Sequence, residues 1–253
     1  MIDTLRRKWQ TSMFLLTQCR SIASLAAMKG CGGPETTAVS LRCAREPILC
    51  RRGTSDFSVI WEIFGNREYE SLDGWPYRRV LDLGANSGIF AAYAWTQSGG
   101  ALTHYVGVEP DREGFEALRL QVECQGMAGV SRLFPCAAWD SEGTMRFDDS
   151  GQSYERRLSD DGAVEVPTRT IDSILDEAGL DFVDLIKMDV EGAEERLLAD
   201  MGRWGQRAGT LVAELHGQLN FDWFAECVRA AGFEPLRTGE LFKGHLAARA
   251  GRR

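Results

Sequence analysis

The fold of this chain is decided by one stretch, Arg79-Val80-Leu81-Asp82-Leu83-Gly84-Ala85-Asn86-Ser87-Gly88-Ile89-Phe90. The apolar run around Val80 is typical of a strand that is buried on both faces. Gly84 and Gly88 permit a tight turn and the close approach of a ligand to the backbone. A helix is predicted from Ile89 to Thr96, and its first N–H groups point at whatever lies over the turn. The stretch therefore predicts a parallel strand, a ligand-binding turn and a helix.

Two classes of ligand use a turn of this kind. Dinucleotides require G-x-G-x-x-G, but Asn86 and Ile89 occupy the second and third glycine positions here. The spacing D-x-G-x-x-x-G is present instead, formed by Asp82, Gly84 and Gly88. It resembles the first motif of the class I S-adenosylmethionine (SAM) methyltransferases. An acid at the strand end suits the ammonium group of SAM, and a glycine floor suits its methionyl part.

Composition and charge favour a small-molecule enzyme. The chain has 253 residues, of which 44% are hydrophobic and 26% charged, as in ordinary globular proteins. Its net charge of -8 argues against sequence-independent binding to a phosphate backbone, which needs clustered Lys and Arg. We therefore expect no nucleic-acid partner. No segment approaches the ~18 apolar residues of a membrane span, so no membrane partner is expected either.

The cysteines and the N-terminus favour a cytoplasmic location. Seven cysteines are scattered without a C-x-x-C pair, which indicates reduced thiols rather than disulfides or a zinc site. Basic residues precede an apolar run at residues 13–16, a pattern that resembles a signal peptide. Because Gln18 and Arg20 interrupt this run, an amphipathic helix is favoured over export.

Breaker residues divide the chain into an extension and a core. The leading helix is predicted over residues 1–29, followed by a link at Gly30–Pro34. A short strand is expected at residues 44–51, and a helix after it, with Thr54 or Ser55 as the N-cap. We assign residues 1–46 to an N-terminal helical extension with its linker. Residues 47–253 then form the main domain.

From Val80 onward, strand and helix patterns alternate, which predicts a parallel sheet with helices on both faces. An antiparallel excursion is expected over residues 139–169. The further strands are predicted at His104–Glu109, Val130–Ala137, Phe182–Met188 and Gly209–Leu215, with a closing hairpin at 233–236 and 241–247. The further helices are predicted at Arg112–Gln125, Ile171–Ala178, Glu191–Met201 and Phe221–Ala231.

Glu109 ends the second predicted strand about twenty residues after Gly88. An acid at this position in nucleotide-binding α/β sheets accepts hydrogen bonds from the two ribose hydroxyls. A carboxylate suits this role because it only accepts and can take both donors. The alternative interpretation of Glu109 is a solvent-exposed acid at a strand end.

The end of the fourth strand carries the most specific motif, Lys187-Met188-Asp189-Val190-Glu191-Gly192-Ala193-Glu194. Ligands of open α/β sheets bind at this edge. Together with the Asp82 turn, Glu109, Thr170-Ile171-Asp172 and Glu214-Leu215-His216, this motif resembles the FkbM family of SAM-dependent O-methyltransferases. The resemblance covers roughly residues 47 to 216. It implies a Rossmann-like class I methyltransferase fold, an α/β architecture with a mostly parallel seven-stranded sheet.

The resemblance also implies a function and a set of cofactor contacts. The implied reaction moves a methyl group from SAM to a hydroxyl of a small molecule, such as a natural product or a sugar, and leaves S-adenosylhomocysteine. The implied SAM-binding residues are Asp82, Gly84, Asn86 and Gly88 at the methionyl end, Glu109 and Asp111 at the ribose, Ala138 and Asp140 at the adenine, and Asp189 near the methyl group.

Transfer to oxygen requires alignment of three atoms and removal of the hydroxyl proton. The candidate catalytic residues are Asp189, Glu214 and His216. Asp189 is favoured as the base because it lies closest to where the methyl group should emerge, whereas His216 is either a base or a structural residue. Glu191 is a further candidate base or a cap of the following helix.

Other interpretations stay open. Asp189, Glu214 and His216 have the side-chain types that hold a divalent cation, but nothing in their spacing demands one, and no metal is predicted. A methyltransferase of nucleic acid or protein would share the fold, as would a non-catalytic SAM-binding protein. The acidic charge argues against the first, and the acids at each expected strand end argue against the second. A homo-oligomer is also left open.

Overall fold

The computed structural model describes residues 11–21, 35–72, 74–148, 157–158, 164–236 and 245–251. Of the expected leading helix, only residues 11–21 are described, and residues 11–18 form a helix, α1. The expected link at Gly30–Pro34 lies outside the described residues. None of the helices in the described ranges is long and apolar enough to cross a membrane.

A seven-stranded sheet forms the centre of the molecule. Its strands are β3 (Arg79–Leu83), β4 (His104–Val108), β5 (Ser131–Phe134), β10 (Leu185–Met188), β11 (Thr210–Glu214), β12 (Phe233–Leu236) and β13 (His245–Ala250). The strand order is β12-β13-β11-β10-β3-β4-β5. The pairs from β11 to β5 are parallel, and β13 is antiparallel to both of its neighbours. The predicted mostly parallel, seven-stranded sheet is confirmed.

Helices cover both faces of this sheet. They are α2 (Asp56–Ile60), α3 (Ile89–Gln97), α4 (Arg112–Cys124), α5 (Ile171–Ala178), α6 (Glu194–Ala199), α7 (Met201–Trp204) and α8 (Phe221–Ala230). A π-helical turn, Trp61–Gly65, continues α2, and short 3-10 helices lie at Glu70–Leu72, Ala128–Val130 and Gly205–Arg207. Alternation along each strand divides its side chains between two cores, since Val80 packs in one apolar cluster and Leu81 in the other.

The third predicted strand is wrong in its extent. Residues 130–137 do not form one strand, because β5 ends at Phe134 and β6 (Ala137–Ala138) belongs to a different sheet. Pro135 stands between them, and a proline has no N–H to continue the ladder. The antiparallel excursion is confirmed, since β7 (Gly143–Asp148) pairs antiparallel with β9 (Val164–Arg169).

A small hairpin precedes α2. The strands β1 (Thr36–Val39) and β2 (Ile48–Arg51) pair antiparallel; the sequence predicts β2 but not β1. The boundary expected between residues 46 and 47 falls inside this hairpin, and Phe14 of α1 packs edge-on against Trp61, with ring centroids 5.2 Å apart. The division into an extension and a domain stays a prediction.

Candidate active site

A buried ion pair lies beneath the glycine turn. Asp82 and Lys187 are directly opposite each other in the β3–β10 register, and Lys187 Nζ lies 3.3 Å from Asp82 Oδ1. The Tyr105 hydroxyl donates to Asp82 Oδ2 at 2.6 Å, and Lys187 Nζ donates to the carbonyl of Gly84 at 2.7 Å. The Asp82 carboxylate is fully buried. Lys187 contacts both this carboxylate and the Gly84 carbonyl, and it therefore connects Asp82 to the turn.

Burial sets the protonation of this pair. Desolvation raises the pKa of Asp82, although Lys187 and Tyr105 oppose that rise. The carboxylates of Asp82 and Asp189 raise the pKa of Lys187 above its ordinary value despite its burial. Lys187 is thus a cation that also lies 3.5 Å from Asp189 Oδ2, so it connects the turn to the carboxylate at the end of β10.

The two glycines of the turn allow the chain to pack closely on itself. Gly84 has φ +74°, and a Cβ built there would lie 1.7 Å from the carbonyl oxygen of Asp189. Gly88 has φ +78° and faces Leu118 and Gln121 of α4. Both conformations are left-handed, where a side chain is strained. At Gly84 the backbone at the end of β10 comes close to the turn, which brings Asp189 next to it; the predicted approach of a ligand stays a prediction.

Glu109 holds the turn from the neighbouring strand. Its Oε2 accepts from the backbone N–H of Asn86 at 2.7 Å, and its Oε1 accepts from the N–H of Asp111 at 2.8 Å. Asp111 caps α4 by accepting from the N–H of Gly114. Burial raises the pKa of Glu109 to about 7. Glu109 is not the exposed strand-end acid of the alternative interpretation, since only 7% of it is accessible.

The N-terminal hairpin also reaches the turn. Arg51 forms a two-pronged pair with the buried Asp56, through Nη2–Oδ1 at 2.8 Å and Nε–Oδ2 at 3.0 Å. The same Nη2 lies 3.4 Å from Asn86 Oδ1. Asn86 has a left-handed φ of 45°. Its backbone N–H donates to Glu109, and its side chain is contacted by Arg51.

The loop after β10 differs from the predicted helix. The sequence predicts that the helix begins at Glu191, but α6 begins at Glu194 because Glu191 and Gly192 have φ values of 51° and 105°. Glu191 therefore does not cap the helix that follows β10, which was one of the two roles predicted for it. Glu194 instead accepts from the N–H groups of Val190 and Gly192, at 3.1 and 2.9 Å.

Three carboxylates surround His216 after the end of β11. His216 Nδ1 lies 2.8 Å from Glu194 Oε1, and Nε2 lies 3.3 Å from Glu191 Oε2 and 3.9 Å from Glu214 Oε1. The hydrogen bond to Glu194 is the main cause that raises the pKa of His216 to about 9. Burial raises the pKa of Glu191 to about 7, and the nearby Asp189 adds to the rise.

An open cleft of about 560 Å³ lies at this carboxyl edge. Its lining brings together the predicted residues Gly84, Asn86, Asp189 and Glu214, and adds Lys187 and Glu191, with Val59, Ile63, Tyr69 and Phe90 as apolar walls. His216 lies behind Glu191 and Glu214 and is not part of this lining. The glycine turn and the acids of two strand ends therefore share one cleft.

The other predicted site residues are not part of this lining. Asp82 lies below the turn, Gly88 packs on α4, and Glu109 and Asp111 hold the far side of the turn. Ala138 is buried in the second core, and Asp140 lies 3.4 Å from Arg196 at the beginning of the excursion.

One group of side chains has spacing compatible with a cation. Asp189, Glu214 and His216 each offer one ligand atom, and these atoms lie within 4.8 Å of one another. The His216 ring, however, already lies between the carboxylates of Glu194 and Glu191. We therefore build no step of the reaction on a metal.

Two residues with central positions were not assigned a role from the sequence. Lys187 is a lone cation in the otherwise apolar strand β10, an anomaly that signals a buried partner. Glu194 reads in the sequence as an ordinary acid in the first helical turn, and its contact with His216 depends on the adjacency of β10 and β11. No local signal predicts that contact.

Comparisons with known proteins identify the family. Residues 82–245 match the family described as the methyltransferase FkbM domain. The 31-O-demethyl-FK506 methyltransferase FkbM of Streptomyces tacrolimicus is 28% identical over 193 residues, covering 61% of this chain and 72% of that protein. The 2-O-methyltransferase NoeI of Sinorhizobium fredii is 41% identical over 61 residues, which are 24% of this chain and 25% of NoeI.

A solved structure supports the fold. The methyltransferase FkbM of Methylobacillus flagellatus superposes with a TM-score of 0.53 at 14% identity, covering 98% of this chain and 60% of that one. At this identity the likeness shows the fold alone. The family match spans the turn and the acids at the strand ends, and the chain therefore belongs to the FkbM methyltransferase family.

Proposed function

We propose that this protein is a SAM-dependent O-methyltransferase that acts on a hydroxyl of a small molecule, a natural product or a sugar. The observation that carries the proposal is the single cleft in which the turn at Gly84 meets the carboxylates of Asp189 and Glu214. A cofactor held by the turn and an acceptor held by these acids would meet in that cleft. NoeI is named as a 2-O-methyltransferase and the Streptomyces relative as a methyltransferase of 31-O-demethyl-FK506, which supports oxygen as the acceptor atom.

The residues around the turn fit SAM. The Glu109 carboxylate accepts two backbone N–H groups and has about four lone-pair sites, so two acceptor sites are left for the two ribose hydroxyls. Asn86 and Gly84 border the cleft and would hold the methionyl part. Asp111 would lie beside the ribose, and Ala138 and Asp140 would border the adenine. Asp82 and Gly88 would act indirectly, because they shape the turn.

Bound SAM supplies an electrophilic methyl group on a sulfonium. The chain's own task is to orient the acceptor oxygen and to take its proton. Asp189 borders the cleft beside the turn and would accept that proton, while Lys187, 3.5 Å away, orients its carboxylate. Glu214 would accept a hydrogen bond from a neighbouring hydroxyl of the acceptor. Correct placement of two reactants supplies several kcal/mol of barrier lowering.

The dimensions and walls of the cleft favour a small acceptor. A volume of about 560 Å³ lies within the range of small-molecule pockets, roughly 300–1,000 Å³. The lining of the cleft contains both carboxylates, those of Asp189, Glu191 and Glu214, and the side chains of Val59, Ile63 and Tyr69. An acceptor that carries both hydroxyls and an apolar ring face would match both kinds of side chain.

A metabolite screen tests this function. The protein and SAM are incubated with extracted metabolites, and methylated products are detected by their mass shift. Once an acceptor is found, Asp189→Asn should lower the rate of transfer by ~10²–10⁴-fold, because the amide cannot take a proton. SAM affinity should change only a few-fold, since the two side chains have nearly the same shape.

The matched control is Asp222→Asn, which removes an exposed carboxylate in the first turn of α8 and should leave the rate unchanged. His216→Gln is the parallel test, with an expected loss of less than tenfold. If His216→Gln abolishes transfer while Asp189→Asn keeps it within a few-fold, the role of proton acceptor belongs to His216. If no hydroxyl compound is methylated and another class of acceptor is, the proposal of O-methylation is wrong.

A further inference from the structure

Glu194 is a buried carboxylate with three hydrogen-bond partners. Its side chain is fully inaccessible, and burying a charge is costly unless it is paired and hydrogen-bonded. Oε1 accepts from the N–H of Val190 and lies 2.8 Å from His216 Nδ1, and Oε2 accepts from the N–H of Gly192. All of these partners lie in the loops that follow β10 and β11.

These contacts determine the shape of the loop that carries Glu191. The two N–H groups that Glu194 accepts flank Glu191, whose left-handed φ of 51° is strained for a residue with a side chain. In that conformation Glu191 Oε2 lies 3.3 Å from His216 Nε2. One carboxylate thus holds both the loop after β10 and the imidazole after β11, and the imidazole meets a second carboxylate on its other nitrogen.

We infer that Glu194 is a positioning residue: it orients the His216 ring so that both ring nitrogens donate, Nδ1 to Glu194 and Nε2 toward the carboxylates of Glu191 and Glu214. These two carboxylates border the cleft, whereas His216 lies behind them. A ring that donates from both nitrogens has no lone pair to accept a proton. The role of proton acceptor is thereby left to the carboxylates of the cleft, among which Asp189 is the one proposed above. The assignment of the proton acceptor rests on the proposed function, whereas the position of Glu194 beside His216 is independent of that function.

The charges around the ring agree with this assignment. The groups that face His216 are Glu194 from α6, Glu191 and Asp189 from the loop after β10, and Glu214 from the end of β11. All four are carboxylates, and Lys187 is a partner of Asp189 on its other side. The alternative role for Glu194 is purely structural, as the acceptor that holds the loop before the short helix α6. The two roles differ in what happens to the ring when the charge of Glu194 is removed.

An NMR titration of the histidine rings separates the two roles without any acceptor. The chain has three histidines, and His216→Gln identifies the signal of His216. In the wild-type protein this ring should titrate near pH 9. In Glu194→Gln the midpoint should fall by at least one unit toward the ordinary value of about 6.5. The exposed neighbour Glu195 provides the control, since Glu195→Gln should leave the midpoint unchanged.

Two outcomes overturn the inference. If His216 of the wild-type protein titrates with a midpoint of about 6.5, it is not held as a donor at both nitrogens. This measurement does not require the variant to fold. An unchanged titration midpoint of His216 in a Glu194→Gln variant that is folded but less stable would show that the role of Glu194 is purely structural. Glu191→Gln, which removes the partner on Nε2, should give a smaller decrease than Glu194→Gln.

An activity measurement then tests the link to catalysis. With an acceptor in hand, Glu194→Gln should lower kcat and shift the pH dependence of kcat, while the KM for SAM stays within a few-fold. Unchanged kcat and pH dependence would overturn the assignment to the reaction. If the wild-type protein does not bind SAM, the proposed function fails, yet the NMR midpoints still decide the role of Glu194.

Discussion

Gly84 illustrates how a single residue can bring two parts of a site together. A glycine in a ligand-binding turn is usually explained by the ligand's approach, whereas here the nearest neighbour is the carbonyl oxygen of Asp189. The missing side chain lets β3 and the end of β10 come close enough for Lys187 to bond to the Gly84 carbonyl while it contacts Asp189. The glycine turn and the candidate base are therefore coupled through the backbone.

The first prediction concerns Gly84→Ala. Its Cβ would lie 1.7 Å from a backbone oxygen, so one strand end must move, and the free energy of unfolding should fall by at least about 4 kcal/mol. Gly126→Ala is the matched control, because Gly126 has a similar φ of +70° with open space around it. That variant should lose only the ~1–2 kcal/mol of left-handed strain. Equal losses in urea denaturation would contradict the close contact.

At the residue scale, strand-end acids are predictable from sequence and their partners are not. Glu109 and Asp189 could be placed because parallel strands end at one edge of the sheet. The pairing of Asp82 with Lys187 and Tyr105 requires the register between three strands, and that register depends on contacts between segments that are not adjacent in the sequence. The contact between Glu194 and His216 depends on the same kind of long-range adjacency.

At the element scale, helix α1 contributes buried apolar surface. Phe14 is 7% exposed and packs against Trp61, whereas Leu16 on the same helix is 67% exposed. Phe14→Ala should therefore lower the free energy of unfolding by about 3 kcal/mol, and Leu16→Ala should change it by less than about 0.5 kcal/mol. Thermal unfolding of both variants tests this.

SAM affinity should stay within a few-fold in Phe14→Ala, because Phe14 packs against Trp61 and is not part of the lining of the cleft. The same reasoning applies to deletion of residues 1–33, which should keep SAM binding but lower stability. A deletion variant that cannot fold at all would show that α1 is an obligatory part of the core.

Element types were predictable from periodicity, and the errors follow from local backbone chemistry. α5 matches its predicted range, Ile171–Ala178, because Thr170 caps it by accepting from the N–H of Ser173 and the left-handed Gly179 ends it. The helix after β10 begins three residues late, since Glu191 and Gly192 take left-handed conformations. Nothing in the local sequence marks Glu191 for that conformation; the N–H groups on either side of it, of Val190 and Gly192, donate to the Glu194 carboxylate.

At the scale of the whole molecule, the raised pKa values make stability depend on pH. The pKa is raised to about 7 in Glu109 and Glu191 and to about 9 in His216. A raised pKa means that the folded state binds the proton more tightly than the unfolded state. The stability that each of these groups contributes is therefore complete below its ordinary pKa, and it is lost as pH rises through the pKa of the folded state. The free energy of unfolding should therefore fall from about pH 5 to about pH 9.

Urea denaturation across this range measures the effect. His216→Gln should remove the part of the decline between the ordinary pKa of 6.5 and about 9. The matched control is His104→Gln, which replaces an exposed histidine and should keep the wild-type curve. A wild-type protein that gains stability between pH 7 and about 9 would contradict the assigned charges.

The central claim is that the turn and Glu109 form a site for SAM, and calorimetry tests it most directly. Wild-type protein titrated with SAM should show binding, and NAD should show none, because Asn86 and Ile89 replace the glycines of a dinucleotide turn. Glu109→Ala should weaken SAM by about 1.5–3 kcal/mol, the usual value of hydrogen bonds to a charged group. NAD binding tighter than SAM, or an unchanged SAM dissociation constant in Glu109→Ala, would contradict the account.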